Sequence, residues 1–156
     1  MEIRNCKEAD IDEIMGLVSL CKPLVLHNYF TYWILFKYFG DTCFVIADND
    51  KIVGYVSGVT STAQKAVLYL WQIAIAPDYR GKNYAKSLIK KMVNVARKKK
   101  CKSLQFSVSP KNEASFSLFS QFAGKHGLLM NEIGVVDYID SITDDRALEN
   151  LYEFRL

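Results

Sequence analysis

The fold of this chain is decided by residues 71–85, which read Trp71-Gln72-Ile73-Ala74-Ile75-Ala76-Pro77-Asp78-Tyr79-Arg80-Gly81-Lys82-Asn83-Tyr84-Ala85. An apolar strand ends at Pro77, and from Tyr84 the apolar residues recur at helical spacing. A helix start presents unpaired N–H groups and the positive end of the helix dipole. When a turn of small residues precedes it, such an end binds phosphate. The stretch therefore predicts a strand, a turn and a helix, with a phosphate site at the turn.

Four residues in the turn and at the start of the helix fit that prediction. Arg80 and Lys82 add positive charge, while Gly81 and Ala85 leave room for a ligand. The turn matches neither G-x-x-x-x-G-K-[ST] nor G-x-G-x-x-G, the two common nucleotide loops. On these residues alone, an ordinary turn with solvated basic side chains remains the alternative.

Outward from this stretch, hydrophobic periodicity predicts four helices and seven strands. The helices are predicted over 8–20, 28–39, 84–97 and 112–125, and the strands over 3–4, 42–47, 52–59, 67–75, 103–108, 135–139 and 151–155. A tight turn at 48–50 makes the second and third strands an antiparallel hairpin. The order predicts an α/β protein with a mixed sheet and helices on both faces.

Composition places the chain among single globular domains, here residues 1–156. Half of the 156 residues are hydrophobic and 24% are charged, which is typical of a folded core. A net charge of +3 gives no indication of nucleic-acid or membrane binding. The basic run Arg97-Lys98-Lys99-Lys100 is interpreted as a solvated helix end, with contact to a coenzyme phosphate or nucleic acid as alternatives. The N-terminus lacks the apolar region of a signal peptide, so a cytoplasmic protein is expected.

The cysteines and histidines argue against a metal site. The four cysteines have no C-x-x-C spacing, and the chain has two histidines. Free thiols and no bound metal are therefore expected.

Two motifs in order resemble those of the GNAT N-acetyltransferase superfamily. The segment from Arg80 to Ala85 resembles its [QR]-x-x-G-x-[GA] acetyl-CoA loop, and Asn112-x-x-Ser115-x-x-Leu118-Phe119 resembles its N-x-x-[AS]-x-x-L-Y helix. The resemblance implies a central, mostly antiparallel sheet and acetyl-CoA as cosubstrate, with the diphosphate on the amides of residues 81–86 and the pantetheine beside residues 73–75. The implied coenzyme contacts are Ile73, Ala74, Ile75, Arg80, Gly81, Lys82, Asn83, Tyr84, Ala85, Lys86, Asn112, Ser115 and Phe119.

A closer resemblance is to the diaminobutyrate acetyltransferases of ectoine biosynthesis. It is carried by Asp41-Thr42-Cys43, Ile52-Val53-Gly54-Tyr55-Val56-Ser57-Gly58, Trp71-Gln72-Ile73-Ala74-Ile75, Pro110-Lys111-Asn112-Glu113-Ala114-Ser115 and Glu149-Asn150-Leu151. It implies a small diamino acid such as L-2,4-diaminobutyrate as acceptor, and a homodimer. The chain departs from the pattern at Val25 (acidic in that family), His27 (asparagine), Arg146 (histidine) and Asn83 (glycine in the superfamily loop).

Acetyl transfer needs a neutral amine, which sets the requirement for a base. An amine with a pKa near 10.4 is neutral in about one molecule in 2,500 at pH 7, equivalent to about 4–5 kcal/mol. By resemblance to the family's terminal glutamate, Glu149 is the predicted catalytic base, and Glu113 is the alternative. A solvated or salt-bridged carboxylate remains an equal interpretation of Glu149. Phe119 stands where many superfamily members have a tyrosine acid, and a phenyl ring cannot donate a proton.

The predicted substrate contacts are His27, Tyr32, Trp71 and Arg146. Tyr32 and Trp71 also fit simple packing, and His27 also fits a surface loop. Two alternative functions stay open. The first is a GNAT enzyme for another amine: a polyamine, an amino acid or a protein lysine. The second is a degenerate coenzyme-binding regulator, which the departures at Asn83 and Phe119 favour.

Overall fold

A computed structural model of the chain describes residues 1–64 and 66–156. The strands are β1 (Glu2–Asn5), β2 (Phe44–Asp48), β3 (Lys51–Thr60), β4 (Val67–Ile75), β5 (Ser103–Val108), β6 (Met130–Ile139) and β7 (Arg146–Arg155), and the helices are α1 (Ile11–Ser19), α2 (Tyr29–Tyr38), α3 (Tyr84–Lys98) and α4 (Glu113–His126). Short 3₁₀ turns lie at Glu8–Asp10, Gly40–Thr42 and Pro77–Tyr79.

The seven strands form one sheet in the order β1-β2-β3-β4-β5-β7-β6. Among the strand pairs of the described residues, β4 and β5 are parallel and every other neighbouring pair is antiparallel. The parallel pairing extends only from Val67–Ser103 to Leu70–Phe106. Beyond Leu70 the two strands separate, so the sheet opens in its middle.

A β-bulge lies at the point where the sheet opens. On β3, Ser57 pairs with Gln72 and Gly58 pairs with Leu70, which leaves Trp71 as the extra residue of β4. Such bulges bend a strand and increase its twist. Gly58 is required here, because a Cβ on it would lie 2.5 Å from Cε of Met92 and 2.9 Å from the Tyr69 carbonyl oxygen.

Two hydrophobic cores hold helices against the two faces of the sheet. One core joins α3 and α4 to the sheet around Met92, Phe106 and Phe122. The other joins α1 and α2 to the opposite face around Ile14 and Tyr32. All five side chains are at most 1% exposed. Burial of such side chains supplies most of the stabilisation of a fold of this kind. The sheet with helices packed on its two faces confirms the predicted α/β architecture.

The predicted elements exist, with different ends. The first helix begins as a 3₁₀ turn, and the asparagines predicted to start the second and fourth helices, Asn28 and Asn112, are N-caps that accept backbone N–H groups. The largest difference is at β6 and β7, which are each ten residues long, against five predicted. Most residues of β6 are exposed on both faces of the strand. Because neither face is buried, the sequence does not alternate between apolar and polar residues, and this alternation is the pattern from which a strand is predicted.

The cysteines are free thiols. Burial raises the pKa of the Cys43 thiol to about 12 and also raises the pKa of Cys6, so both are poor nucleophiles.

Within 1–64 and 66–156, no helix is long and apolar enough to cross a membrane. Across the same residues, no three His, Cys, Asp or Glu side chains are grouped so that they could hold a metal ion.

Candidate active site

A cleft of about 570 Å³ lies where β4 and β5 separate. Its walls come from β4, the end of β5, the start of α4, the segment 21–27 between α1 and α2, and Glu149 of β7. The cleft therefore exists because the sheet opens after Leu70, and residues distant in sequence face each other across it.

The β4 wall presents backbone groups to this cleft. The Ala76 N–H donates to the Val53 carbonyl at 2.9 Å, so Ala76 and, by alternation along the strand, Ala74 point their backbone groups towards β3. Ile73 and Ile75 point theirs to the opposite side, past the last pair with β5. The Ile75 carbonyl accepts from Nε of Arg80 at 3.3 Å and from the thiol of Cys21 at 3.3 Å. Since these two bonds occupy the Ile75 carbonyl, the Ile73 backbone groups and the Ile75 N–H are the part of the strand that can pair with an extended ligand.

The turn after β4 forms a second hollow of about 210 Å³ beside the cleft. Gly81 (φ +75°) and Asn83 (φ +63°) both have left-handed backbone conformations. In α3, the Ser87 N–H bonds to the Asn83 carbonyl at 3.0 Å, so the N–H groups of residues 84–86 precede the first helical hydrogen bond. Among the described residues, no side-chain cap covers this end at Asn83. It is an N-terminus open to an anion.

Glu149 is the carboxylate of the cleft. It lies on β7 and is half-buried. Burial raises the pKa of this carboxyl above its ordinary value, and a hydrogen bond from Ser107 acts in the opposite direction. A carboxylate with a raised pKa is a stronger base towards an ammonium group.

An aromatic wall closes the cleft opposite β5. The His27 ring centroid lies 5.1 Å from that of Trp71, and burial lowers the pKa of His27, which favours its neutral form. The segment carrying His27 is tied to β4, because Nε2 of Gln72 donates to the Val25 carbonyl at 2.7 Å. Behind it, the Tyr32 hydroxyl donates to Oε1 of Gln72 at 3.4 Å.

The sequence pattern of the acetyltransferase (GNAT) family matches residues 11–124, almost three quarters of the chain. The chain belongs to the GNAT acetyltransferase family. The GNAT prediction made from the loop and helix motifs is therefore confirmed.

Two GNAT relatives of this chain carry the same name, which gives L-2,4-diaminobutyric acid as their acceptor. The L-2,4-diaminobutyric acid acetyltransferase of Vibrio parahaemolyticus serotype O3:K6 is 27% identical over 80% of this chain and 68% of its own length. The enzyme of the same name from Shouchella clausii is 33% identical over 72% of this chain and 63% of its own length. About a third of each relative thus lies outside the match.

A solved GNAT structure of the same kind superposes on nearly the whole chain. It is the diaminobutyrate acetyltransferase EctA from Paenibacillus lautus in complex with L-2,4-diaminobutyric acid and coenzyme A. The TM-score is 0.85 at 26% identity, covering 99% of this chain and 93% of that one. The resemblance to diaminobutyrate acetyltransferases is thereby confirmed at the level of sequence and fold.

The structure brings most of the predicted site residues together. The cleft is lined by Glu149, His27, Trp71, Ile73, Ala74, Ile75, Arg80, Ala85, Asn112, Ser115 and Phe119, and the adjoining hollow by Gly81, Asn83, Tyr84 and Lys86 with some of the same residues. The Lys82 ammonium lies 4.9 Å from the centroid of the Tyr79 ring, at the edge of the turn. Phe119 is also a core residue, with its ring centroid 4.0 Å from that of Phe106.

Two predicted substrate contacts lie outside the cleft lining. Tyr32 is completely buried behind Gln72, because its helix packs that face into the second core. Arg146 lies at the start of β7, where its exposed guanidinium forms an ion pair with Asp137 across the hairpin. The substitution at Arg146 therefore changes the hairpin and adds no charge to the cleft wall.

The cleft lining also includes residues that were not predicted as site residues, among them Cys21, Tyr69, Gln72 and Ser107. Gln72 carries a usable signal, because it is a polar residue within the apolar strand 67–75 and is only 4% exposed. A buried amide must be hydrogen-bonded, which indicates a structural or binding role. Tyr69 and Ser107 carry no such signal, since each fits an ordinary strand.

Proposed function

We propose that this chain is an acetyl-CoA-dependent N-acetyltransferase acting on a primary amine of a small diamino acid such as L-2,4-diaminobutyrate. The observation that carries the proposal is one continuous site: an open helix end at α3, the edge of β4 beyond its last pair with β5, and Glu149 across the cleft. The names of the relatives and the bound molecules of the Paenibacillus lautus enzyme support the acceptor.

The coenzyme would be held by main-chain groups. The N–H groups of residues 81–86 suit a diphosphate, and the backbone of Ile73 and Ile75 suits the amides of an extended arm. When bound, acetyl-CoA supplies the thioester carbonyl that the amine attacks. The β4 amides beyond the bulge at Trp71 line the cleft, where they would donate to the oxygen on which negative charge develops.

Glu149 would accept the proton that the amine must lose. Its half-buried position and raised pKa make it a better base than an exposed glutamate. Glu113, the alternative base, is exposed at the start of α4 and does not line the cleft. Phe119 occupies the cleft wall without a proton to donate, so the leaving thiolate takes its proton from water or another donor.

Release of free coenzyme A from acetyl-CoA tests the proposal, measured with a thiol reagent in the presence of single amines. The panel is L-2,4-diaminobutyrate, 4-aminobutyrate, putrescine, spermidine and a lysine peptide. Turnover with diaminobutyrate supports the proposal, whereas turnover confined to a polyamine or the peptide contradicts the acceptor. Tight acetyl-CoA binding with no release by any amine would instead indicate a regulatory coenzyme-binding protein.

Val25 gives a prediction about the second nitrogen of the acceptor. It lines the cleft with a 67% exposed apolar side chain, where the related family has an acidic residue. We expect Val25→Asp to lower the KM for diaminobutyrate about 2- to 5-fold, the effect of one exposed ion pair. The KM for 4-aminobutyrate, which lacks that nitrogen, should not change. Val25→Asn is the uncharged control, and an equal gain for both acceptors would contradict the assignment.

We also propose a homodimer formed through the β6–β7 hairpin. This hairpin ends the sheet and exposes apolar side chains that include Val135 (53%) and Ile139 (67%). A long apolar edge strand of this kind is normally covered by another chain.

Light scattering after size exclusion tests the dimer. The native chain should have twice its 17.8 kDa mass, and Ile139→Glu should give monomers. The matched control is Leu20→Glu, since Leu20 is equally exposed (65%) at the end of α1. A dimer that survives Ile139→Glu but is lost in Phe30→Glu would place the contact on α2 and contradict the proposal.

A further inference from the structure

Three side chains from adjacent strands form a polar row along the floor of the cleft. They are Tyr69 of β4, Ser107 of β5 and Glu149 of β7, and all three line the cleft. The register puts Tyr69 beside Gln105 and Ser107 beside Leu151, and residues two apart on a strand share a face. The three side chains therefore stand on the same face of the sheet, opposite to the face where Phe106 is buried.

The hydroxyls of this row can be ordered in one direction, with the carboxylate as the last acceptor. The Tyr69 hydroxyl donates to Oγ of Ser107 at 3.0 Å. A serine hydroxyl has a single proton to donate. Because its oxygen already accepts from Tyr69, that proton is free for the carboxylate of Glu149, which can only accept. In this order Tyr69 donates to Ser107, and Ser107 can donate to Glu149 on the neighbouring strand.

We infer that Ser107 and Tyr69 are positioning residues for Glu149, whose carboxylate they orient and keep in the deprotonated form that accepts the amine proton. The inference rests on the proposed function. Ser107 acts directly on the carboxylate, and Tyr69 acts through Ser107 by fixing the orientation of its hydroxyl. The row counteracts burial, since the bond from Ser107 lowers the pKa of Glu149 while burial raises it.

The other charged and titratable groups near this row leave Ser107 as the main partner of Glu149. Three of these groups line the same cleft: Lys22, His27 and Arg80. Arg80 already donates to the Ile75 carbonyl. Outside the cleft, Glu153 forms an ion pair with Arg155, and Asp137 of β6 forms one with Arg146. Across the β6–β7 ladder, Glu149 stands opposite the apolar Val136. Burial raises the pKa of Glu149, and the hydrogen bond from Ser107 opposes that shift.

The pH dependence of kcat/KM for the amine tests the inference. Ser107→Ala should move the acidic limb to higher pH by up to about one unit, because the bond that favours the charged form is lost. Tyr69→Phe should move it less, in the same direction. The double variant should match Ser107→Ala, since both act through one bond. Ser107→Thr, which keeps the hydroxyl, should restore the native limb, and Ser103→Ala and Tyr138→Phe are controls away from the cleft.

A uniform fall in kcat/KM with an unmoved acidic limb would show that Ser107 only packs, and would overturn the inference. Titration of the Glu149 carboxyl carbon by ¹³C NMR gives the same comparison without turnover. If no amine releases coenzyme A, the proposed function fails. The NMR titration still decides the inference: a higher Glu149 pKa in Ser107→Ala supports it, and an unchanged pKa contradicts it.

Discussion

Replacing Gly81 with glutamate is expected to weaken acetyl-CoA binding by at least ~100-fold. Two effects add in this variant. Gly81 has φ +75°, a conformation that costs other residues of the order of 1–3 kcal/mol. The new carboxylate would also face the diphosphate at the open end of α3, and like charges in such contact cost several kcal/mol. Each 1.4 kcal/mol is a factor of ten. Calorimetric titration with acetyl-CoA measures the loss.

The chain offers a matched control for Gly81→Glu. Gly127 also has a positive φ (+62°) with open space around its Cα, but it ends α4 and lines neither cavity. Gly127→Glu should therefore bear similar backbone strain and bind acetyl-CoA normally. Gly81→Ala carries the strain alone and should lose less affinity than Gly81→Glu. Native affinity in Gly81→Glu would remove the turn from the coenzyme site.

The second large effect is expected from Glu149→Gln, which keeps the shape of the side chain but cannot take a proton. We expect kcat to fall about 100-fold at pH 7, the lower end of the range for a general base. At pH 9 the acceptor amine is neutral about a hundred times more often than at pH 7. The variant should then recover most of its activity. Steady-state kinetics at the two pH values measure the difference.

Stability distinguishes the catalytic role of Glu149 from a structural one. Burial raises the pKa of Glu149 in the folded state above its value in the unfolded state, so protonation of this carboxyl adds to the free energy of unfolding. That added stability is complete below the unfolded pKa and is lost as the pH rises through the folded pKa. At pH 8 the carboxylate is therefore mildly unfavourable, and Glu149→Gln should keep or raise the Tm.

Glu153→Gln is the matched control. Glu153 lies on the same strand and the same face as Glu149, because the two residues are four positions apart. Its carboxylate forms an ion pair with Arg155 and does not line the cleft. This variant should retain native turnover. An equal loss of kcat at pH 7 and pH 9 in Glu149→Gln would contradict its role as the base.

The sequence predicts the part of the site that depends on local rules. The turn at residues 80–85 is such a case, because small residues, a positive-φ asparagine and a helix start are all local features. Asn83 adopts the left-handed conformation in which asparagine is tolerated better than most residues. The resemblance of the loop and helix motifs also implies a coenzyme arm beside residues 73–75, and these residues line the cleft.

The remainder of the site depends on long-range pairing that periodicity does not report. The row of Tyr69, Ser107 and Glu149 exists only because β5 lies between β4 and β7 in a particular register. Arg146 shows the converse, since it was predicted as a substrate contact because it replaces a histidine of the related family's terminal motif. The ten-residue length of β7 instead puts Arg146 towards the hairpin end, paired with Asp137.

A crystal structure with coenzyme A bound tests the account most directly. The expected result is a diphosphate bonded to the main-chain N–H groups of residues 81–86, with the pantetheine arm paired to Ile73 and Ile75 and its sulfur directed towards Glu149. Coenzyme bound elsewhere at saturating concentration, with that turn empty, would contradict the central claim.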